Sequence, residues 1–405
     1  MTALEYLLIS PVILILFFQI FYLVESFRVC IEPIAGGQPL LKNPQEEPQK
    51  LGEKISIIIP VYGTESTIFS CLESTLGNFL GLVDKVVVVL DRCQETTKNK
   101  ICAFIPQFAL QSVKLEVIDL PSHRSGKVQA LLHGGNYIST SSVLLLDSDI
   151  ILEKTAIERL LRFHLENNNS FSSCLIYPYL AMGENPSTAQ QIVCNNRLYR
   201  QSIVQLVKNL HGVANFPGGL QLVDFAAYRN LLVDGFLEDL TATYKVLSSG
   251  KRVAILPQVL AYEVERQTLL GLFLQRVRWT IGAIQHLPVQ FSTAFACKGS
   301  AKKILISSYH VMWEFQHYVI VLSLVAIPFS HTLLPLFCMP LLLYFAKIIR
   351  MLTLTRSYYK NSWYAAVLHC LVHPCIITAA LPCSLVYLLR KRSFTFEATA
   401  LFRRI

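Results

Sequence analysis

Two aspartates interrupt an apolar run, VLLLDSDIIL, at residues 143–152. If Asp147 and Asp149 were buried in a core without partners, each would cost several kcal/mol, so we expect them to hold a ligand. On an extended segment, residues i and i+2 share one side, so both carboxylates could face one ion. Oxygen ligands suit a hard cation such as Mg²⁺ or Mn²⁺, which can bridge to a diphosphate. The alternative is a solvated turn, because Asp and Ser favour turns.

A second acidic pair lies in GFLEDLTATYKVL, at residues 235–247. Glu238 and Asp239 open a pattern of apolar residues with helical spacing. Acidic side chains in the first turn of a helix often do no more than interact with the helix dipole, which is the ordinary explanation for such a pair. Taken alone, the pair therefore leaves a chemical role open.

A third cluster of polar side chains falls on a predicted helix, QTLLGLFLQRVRWTIGAIQHL, at residues 267–287. At about 100° per residue, Gln275, Arg278 and Trp279 share one face, and apolar side chains share the opposite face. Arginine is a natural ligand for a diphosphate, and tryptophan offers a flat surface for stacking a sugar ring. The pattern suits a helix that lies on a membrane surface or packs on a bundle, although an ordinary surface helix with a basic face would also fit it.

Alternating strand and helix signals would position these residues. Continuous apolar runs predict four strands, at residues 54–62, 85–91, 114–120 and 142–147, with helices at 64–77 and 126–137. This alternation predicts an α/β domain with a mostly parallel sheet and helices on both faces. Ligands bind such sheets at the carboxyl ends of the strands, where Asp91 and Asp147 fall. The sequence contains no P-loop and no G-x-G-x-x-G motif.

The composition points to a membrane protein. Hydrophobic residues make up 53% of the 405 residues, charged residues only 16%, and the mean hydropathy is high. The net charge of +9 comes without a basic stripe interleaved with aromatic residues, so we do not expect a nucleic-acid partner. The eleven cysteines form no C-x-x-C pair, which predicts neither a zinc site nor a disulfide framework.

Four apolar stretches are candidates for membrane spans. Leu4 to Val24 is long enough to cross a bilayer core of about 30 Å and is expected to be an anchor. Three further stretches lie at about 310–329, 332–349 and 363–389. Because Lys and Arg follow the first stretch and precede the second, the positive-inside rule predicts that the large middle region is cytoplasmic.

The last stretch leaves two alternatives open. It contains Pro374 and Pro382, so it either crosses once or bends back as a re-entrant hairpin. It also holds His369 and His373 at i, i+4 spacing, which permits a metal or haem pair. Packed or hydrogen-bonded histidines are the favoured explanation, because no third ligand stands nearby in the sequence.

These features divide the chain into six segments. They are a membrane anchor at 1–28, a Pro-rich linker at 29–53, the α/β domain at 54–265, the amphipathic helix at 266–300, a helical bundle at 310–389 and a basic tail at 390–405.

Taken in order, the motifs resemble those of the membrane-integrated glycosyltransferases of family 2, which include cellulose, hyaluronan and chitin-oligosaccharide synthases and ceramide glucosyltransferase. The resemblance covers residues 54–285 and implies a GT-A-type α/β domain. The segments that carry it are IIIPVY (57–62), VVVVLDRCQETT (86–97), GKVQAL (126–131), DSD (147–149), LEDL (237–240) and QRVRW (275–279).

On the donor side, the resemblance implies inverting transfer from a UDP-sugar. Asp147 and Asp149 would hold Mg²⁺ or Mn²⁺ on the diphosphate, so Asp147 also belongs to the donor site. Asp91 would contact uracil, and Lys127 would approach the nucleotide. Two further donor-site residues are implied by QRVRW, in which Arg276 and Arg278 would assist the diphosphate.

On the acceptor side, the resemblance implies that Asp239 is the general base and that Gln275 and Trp279 border the acceptor site. Two departures concern this side. Leu237 precedes the acidic motif where a small residue is usual, and Val223 with Asp224 replaces a common basic residue.

The acceptor itself stays open between two classes. One is a growing β-linked polysaccharide, which QRVRW favours, although four spans form a narrow pore unless the protein is a homo-oligomer. The other is a single membrane lipid of the ceramide, hopanoid or diacylglycerol type. A catalytically inactive membrane scaffold is a remote alternative that the intact acidic motifs disfavour. The expected location is a bacterial inner membrane, or the ER or Golgi, with a multi-pass chain and a cytoplasmic catalytic domain.

Overall fold

Eight strands form one mixed sheet in the computed structural model, whose order is β3-β2-β1-β4-β7-β6-β8-β5. The strands are β1 Ile55–Tyr62, β2 Val83–Asp91, β3 Lys114–Asp119, β4 Ser142–Leu146, β5 Ile150–Leu152, β6 Phe171–Tyr179, β7 Leu220–Asp224 and β8 Ala254–Val264. The structure describes residues 3–33, 53–63, 66–78, 80–121, 123, 125–179, 186–235, 237–265, 268–327, 334–358 and 362–390.

The first half of the sheet is parallel, as predicted, and its strands coincide with the four apolar runs. Strands β3, β2, β1 and β4 pair in parallel. The second half mixes directions, because β7 pairs antiparallel with both β4 and β6, and β5 pairs antiparallel with β8. The prediction of an α/β fold is therefore confirmed, with four parallel strand pairings and three antiparallel ones that make the second half of the sheet mixed.

Alternate residues of the central strands enter two different cores. Ile58 and Val87 pack into a core that continues into the apolar helices, whereas Ile57 and Val86 pack into a second core on the other face of the sheet. Because both faces are covered, each of these side chains is fully buried. This explains the unbroken apolar runs in the sequence, since a strand covered on both faces shows no polar alternation.

Fifteen α-helices are described. They are α1 Ala3–Ser26, α2 Thr67–Leu76, α3 Glu95–Cys102, α4 Ile105–Leu110, α5 Lys127–Gly134, α6 Ala156–Glu166, α7 Thr188–Tyr199, α8 Leu206–Leu210, α9 Phe225–Tyr228, α10 Glu238–Ser248, α11 Leu269–Ala296, α12 Ser300–Ser307, α13 Gln316–Ala326, α14 Leu334–Thr355 and α15 Trp363–Arg390. Short 3₁₀ turns occupy Leu80–Leu82 and Gly135–Tyr137, and π-helical turns occupy Arg200–Gln205 and Val311–Phe315.

Three of the described helices are long and apolar enough to cross a membrane. They are the Ile9–Ser26 part of α1, α14 and α15, while the helical stretch Val311–Ala326 is apolar but shorter. Helix α15 continues through Pro374 and Pro382, so the chain does not form a re-entrant hairpin there. The predicted link 329–332, residues 34–52 of the linker and residues 391–405 of the tail lie outside the described residues.

His369 and His373 share a hydrogen-bond partner in the bundle. The hydroxyl of Tyr344 lies 2.9 Å from Nε2 of His369 and 3.3 Å from Nδ1 of His373. Within the described ranges, no group of three or more His, Cys, Asp or Glu side chains is arranged to hold a metal ion. The pair therefore fits the prediction of packed, hydrogen-bonded histidines.

Helix α11 connects the α/β domain with the bundle. Its Val277 and Ile281 pack with Ala380 of α15, and the Ser384 hydroxyl donates to the Val277 carbonyl at 3.1 Å. On another side, α11 approaches Leu237, the residue before α10, so closely that a Cβ on Gly282 would lie 2.6 Å from its Cγ. The helix thus brings its polar residues to the edge of the sheet where α10 begins.

Candidate active site

A cavity of about 140 Å³ lies at the edge of the sheet where β4 ends. Its lining includes Lys127, Val128, Asp147, Arg197, Arg200, Pro217, Gly218, Gly219, Asp234, Gly235, Leu237, Glu238, Asp239, Glu263, Arg278 and Trp279. Five of the predicted site residues are therefore brought together, namely Lys127, Asp147, Asp239, Arg278 and Trp279. Four others, Asp91, Asp149, Gln275 and Arg276, are not part of this lining.

Lys127 lies between two acidic residues of the cavity, Asp147 and Glu238. Its Nζ lies 2.7 Å from Oδ1 of Asp147 and 3.3 Å from Oε1 of Glu238. It also donates to the Gly218 carbonyl at 2.9 Å. Burial disfavours the charged amine, but Asp147 and Glu238 outweigh that effect and raise the pKa of Lys127 above its usual value. The ammonium is therefore fixed between carboxylates, where a diphosphate could meet it.

Asp91 holds the loop that precedes Lys127. The carboxylate ends β2 and is 4% exposed. Its Oδ2 accepts hydrogen bonds from the Ser125 hydroxyl at 3.0 Å and from the Gly126 N–H at 2.7 Å. Gly126 has a φ of 105°, in the left-handed region that favours glycine. The predicted contact of Asp91 with a nucleotide base stays a prediction, and the structure adds a positioning role.

Asp147 and Asp149 lie on a turn and not on an extended strand. The Ile150 N–H donates to the Asp147 carbonyl at 3.1 Å, which closes the turn between β4 and β5. Here the chain leaves the centre of the sheet for its edge, because β4 pairs with β1 and β7 while β5 pairs with β8. The expectation that Asp147 and Asp149 lie on an extended segment is therefore wrong, although both residues follow the end of β4.

These two carboxylates fit one mode of metal binding. The Asp147 side chain is 30% exposed to the cavity, and Asp149 is half-buried one residue beyond Ser148. No third metal-binding side chain joins them in the part of the chain that the structure describes. Mg²⁺ commonly binds through one or two carboxylates together with substrate phosphates. The donor set therefore fits an ion that shares its ligands with a diphosphate, and not one enclosed by protein alone.

Asp239 is the cavity carboxylate with the most perturbed environment. Burial and then the neighbouring Glu238 raise its pKa, Lys127 and Arg200 lower it, and the net result is a pKa of about 6. Its Oδ1 accepts from the Leu240 N–H at 2.9 Å. The backbone approaches the other oxygen, since a Cβ on Gly218 would lie 3.1 Å from Oδ2. A carboxylate with a pKa near 6 can accept a proton at neutral pH.

Helix α11 presents Arg278 and Trp279 to the cavity but turns Arg276 away. Arg276 is fully buried behind the wall, with its guanidinium 4.6 Å from the Trp279 ring centroid. Residues two positions apart point about 200° apart on a helix, so Arg276 and Arg278 cannot face the same ligand. The structure therefore gives Arg276 no access to a diphosphate in this cavity, and Gln275 likewise stays outside the lining.

Four charged residues of the cavity lining were not predicted from the sequence, namely Arg197, Arg200, Asp234 and Glu263. Arg197 forms ion pairs with Glu263 and with Glu265, and both Arg197 and Glu263 line the cavity. Arg200 also lines it, with its guanidinium carbon 4.9 Å from the Trp279 ring centroid. The i, i+3 spacing of Arg197 and Arg200 places them on one helix face. This spacing was the only local feature of the sequence that could have predicted them as site residues.

Comparisons with known proteins agree with this geometry. The family model described as glycosyl transferase family 2 matches residues 56–232. A poly-beta-1,6-N-acetyl-D-glucosamine synthase of Staphylococcus aureus (strain COL) is 24% identical over 256 residues, which cover 61% of this chain and 58% of the synthase. The chain thus matches less than two thirds of that relative. The Staphylococcus epidermidis synthase is 24% identical over 310 residues, or 75% of this chain and 70% of the synthase.

A solved structure shows the fold. A mannosyltransferase from Pyrobaculum calidifontis, in complex with GDP-Man and Mn²⁺, superposes with a TM-score of 0.56 at 15% sequence identity. The superposition covers 93% of this chain and 99% of the mannosyltransferase. The α/β domain therefore has the GT-A-like architecture that the motifs implied.

Proposed function

With residues 56–232 forming a glycosyl transferase family 2 domain, we propose that the protein is an inverting glycosyltransferase that extends a β-linked polysaccharide at a membrane. The proposed donor is a UDP-sugar, and UDP-N-acetylglucosamine is the first candidate because of the names of the similar synthases. The observation that carries the proposal is Asp239, a carboxylate with a pKa of about 6 in the same cavity as Lys127, Arg278 and Trp279.

The donor diphosphate would lie at the Lys127 end of the cavity. Lys127 and Arg278 supply positive charge there, and Asp147 with Asp149 would hold Mg²⁺ or Mn²⁺. When bound, such an ion neutralises the negative charge that develops on a leaving diphosphate. Asp91 supports this end through the loop before Lys127.

Asp239 would act as the general base. It removes the proton from an acceptor hydroxyl while that oxygen attacks C1 of the donor sugar, and the bond from C1 to the diphosphate oxygen breaks on the opposite face. The new bond forms opposite to the old one, so the configuration at C1 inverts. Glu238 is less suited to this step because it lies 3.3 Å from the Lys127 ammonium.

We further propose that the protein is a multi-pass membrane protein with its catalytic domain on the cytoplasmic side. The three long apolar helices support membrane integration. The positions of Lys and Arg around the apolar stretches support this orientation.

The test is UDP release by purified protein in detergent or lipid nanodiscs with Mg²⁺ or Mn²⁺. UDP-N-acetylglucosamine, UDP-glucose, UDP-galactose and UDP-glucuronate are compared, and radiolabelled products are sized. We expect one donor to support UDP release and a ladder of saccharides. A single glycolipid product would replace the polymer with a lipid acceptor, and absence of release with every donor would refute the proposed function.

A further inference from the structure

Glu263 presents one carboxylate oxygen to the cavity. It is the penultimate residue of β8, it lines the cavity, and its side chain is 18% exposed. Its Oε1 is bound by the guanidinium of Arg197, which also pairs with the buried Glu265. Among the described residues, no group donates a hydrogen bond to its Oε2. A carboxylate that is held through one oxygen keeps the other for a ligand.

This free oxygen lies beside the turn between β4 and β5. The Val264 N–H donates to the Asp149 carbonyl at 3.0 Å, where β8 pairs with β5. Gly219 links Glu263 to Asp147, because its carbonyl accepts from the Asp147 N–H at 2.8 Å and a Cβ on it would lie 3.4 Å from Oε2 of Glu263. A group attached to a diphosphate at this turn would therefore lie within reach of Glu263.

The strand order places Glu263 and Asp91 on opposite sides of this turn. Strand β8 runs parallel to β4, since β7 is antiparallel to β4 and to β6, and β6 is parallel to β8. The carboxyl ends of β2, β4 and β8 therefore share the edge of the sheet where ligands bind. In the sheet, β2 lies on one side of β4 and β8 on the other. With a nucleotide base at Asp91 and a diphosphate at Asp147, a donor sugar would extend toward Glu263.

The charge around Glu263 determines which part of a donor it can meet. Two carboxylates, Glu263 and Glu265, share the single guanidinium of Arg197, so the group of three is net negative. A phosphate would be repelled there, whereas a sugar hydroxyl can donate a hydrogen bond to the carboxylate. No three metal-ligating side chains cluster among the described residues, so Oε2 does not belong to an enclosed cation site.

Gly218 and Gly219 also bring Glu263 near the proposed base. A Cβ on Gly218 would lie 3.1 Å from Oδ2 of Asp239, and one on Gly219 would lie 3.4 Å from Oε2 of Glu263. Since neighbouring Cα atoms are about 3.8 Å apart, both carboxylates border the same small region of the cavity. A sugar whose C1 is attacked beside Asp239 would therefore also lie next to Glu263.

We propose that Oε2 of Glu263 accepts a hydrogen bond from a hydroxyl group of the donor sugar, and that Glu263 thereby contributes to the choice among UDP-sugars. This role rests on the proposed function, because it needs a UDP-sugar whose diphosphate lies at Asp147 and Asp149. Glu263 lies outside the motifs that identify the site.

The experiment compares the binding of UDP with the binding of the UDP-sugar that the wild type uses. Both are measured by calorimetry on full-length protein in nanodiscs with Mn²⁺ and without acceptor. Glu263→Gln keeps the size of the side chain and an oxygen for Arg197 but places an NH₂ group where Oε2 lies. UDP-sugar binding should weaken about 10- to 100-fold, the loss expected for a hydrogen bond to a charged group. UDP binding should change less than about twofold, because UDP carries no donor sugar.

Glu265→Gln is the matched control. Glu265 pairs with the same Arg197 guanidinium but lies outside the cavity lining, so the ratio of the UDP and UDP-sugar affinities should stay unchanged. Glu263→Asp keeps the charge but withdraws the oxygens by one methylene group, and it should weaken UDP-sugar binding less than Glu263→Gln. UDP binding reports whether each variant is folded, and Glu263→Asp decides if Glu263→Gln is not.

Deoxy analogues of the accepted donor identify the hydroxyl group. The analogue that lacks the hydroxyl bound by Glu263 should bind wild type and Glu263→Gln with equal affinity, since the interaction is already lost. Every other deoxy analogue should keep the difference between the two proteins. If every analogue kept the full difference, Glu263 would bind no hydroxyl of the donor sugar.

The other outcomes separate this role from the proposed function. Equal weakening of UDP and UDP-sugar binding by Glu263→Gln would place Glu263 at the diphosphate or its cation and overturn the role. An equal effect of Glu265→Gln on the affinity ratio would also overturn it. If wild type transfers sugar and Glu263→Gln binds the UDP-sugar normally, only the role of Glu263 fails. If wild type transfers no sugar from any UDP-sugar, both fail together.

Discussion

Two pairs of acidic residues lie in or beside the cavity, and their surroundings differ. Asp147 and Asp149 follow a strand on a turn, and a lysine ammonium lies 2.7 Å from Asp147. Glu238 and Asp239 begin a helix, where burial and the adjacent carboxylate raise the pKa of Asp239 to about 6. A carboxylate beside a cation suits the binding of charged ligands, whereas one in a desolvated place beside a like charge suits proton transfer. The environment therefore assigns different chemistry to the same functional group.

Lys127 produces much of this difference. It pairs with Asp147 and Glu238, and so leaves Asp239 as the acidic member without a close ammonium partner. Gly218 adjoins both groups, because its carbonyl accepts from Lys127 and a Cβ on it would lie 3.1 Å from Oδ2 of Asp239. The proposed diphosphate-binding and proton-transfer groups therefore lie close together in the cavity.

The largest expected effect concerns Asp147 and Asp149, which follow β4. Asp149→Ala should abolish transfer, because the proposed cation would lose one of its two protein carboxylates. The protein should still fold and insert, since this half-buried side chain on a turn supports no apolar core. Transfer rates and circular dichroism of purified wild type and variant measure both effects.

Chelation provides an independent check on the same pair. EDTA should stop transfer by the wild type, and added Mn²⁺ or Mg²⁺ should restore it. Full turnover in EDTA would show that the two aspartates do not act through a cation. Glu153→Gln, just beyond β5 and outside the cavity lining, should leave the metal requirement unchanged.

The next largest effect concerns Glu238 and Asp239 at the start of α10. Asp239→Asn keeps the shape of the side chain but cannot take up a proton, so transfer should fall about 10²-fold or more, the usual scale for a lost general base. UDP binding by calorimetry should survive, because the proposed donor ligands are Lys127, Arg278 and the cation held by Asp147 and Asp149. Glu238→Gln should be milder, since Glu238 pairs with Lys127 and adjacent helical residues point about 100° apart. Near wild-type transfer by Asp239→Asn with an inactive Glu238→Gln would exchange their roles.

A smaller effect is expected at Asp91, which lies outside both pairs. Asp91→Ala removes the acceptor of the Ser125 and Gly126 hydrogen bonds and so loosens the loop before Lys127. The donor KM should rise about tenfold, with kcat changed much less, because the residue supports binding and not the chemical step. Ser125→Ala is the matched control and should have a smaller effect. A lower kcat with an unchanged donor KM would contradict this role.

Local sequence signals predicted the first half of the sheet. The runs at 54–62, 85–91, 114–120 and 142–147 coincide with β1 to β4, because a strand buried on both faces must be apolar throughout. The second half was not predicted, since the antiparallel placement of β7 beside β4 depends on where a chain segment returns more than 70 residues later. Such long-range pairing leaves no periodic signal in either segment.

The site shows the same division between local and long-range information. Motif spacing predicted five cavity residues: Lys127, Asp147 and Asp239 lie next to the end of a strand or at the start of a helix, and Arg278 and Trp279 share one face of α11. Arg276 was assigned to the diphosphate, yet the direction of its side chain on α11 buries it behind Trp279. Arg200 was missed because only the packing of α7 and its π-helical extension against α11 gives it a place in the wall.

The smallest expected effect is a change in the pH dependence of transfer, which tests whether Asp239 is the group that titrates. Asp239 must be deprotonated to act as a base, and its pKa of about 6 lies above the ordinary value of 3.8. The transfer rate at saturating donor should therefore fall as the pH decreases through about 6, to roughly half at that pH.

Glu238→Gln removes a negative neighbour that raises the pKa of Asp239, so the midpoint of the pH profile should move to lower pH. Arg200→Gln removes a positive neighbour that lowers it, so the midpoint should move to higher pH. Rates at saturating substrate between pH 5 and 8.5 measure the three midpoints, and residual activity of Asp239→Asn should lack the titration. If both substitutions moved the midpoint in the same direction, or if Asp239→Asn kept it, the titrating group would not be Asp239.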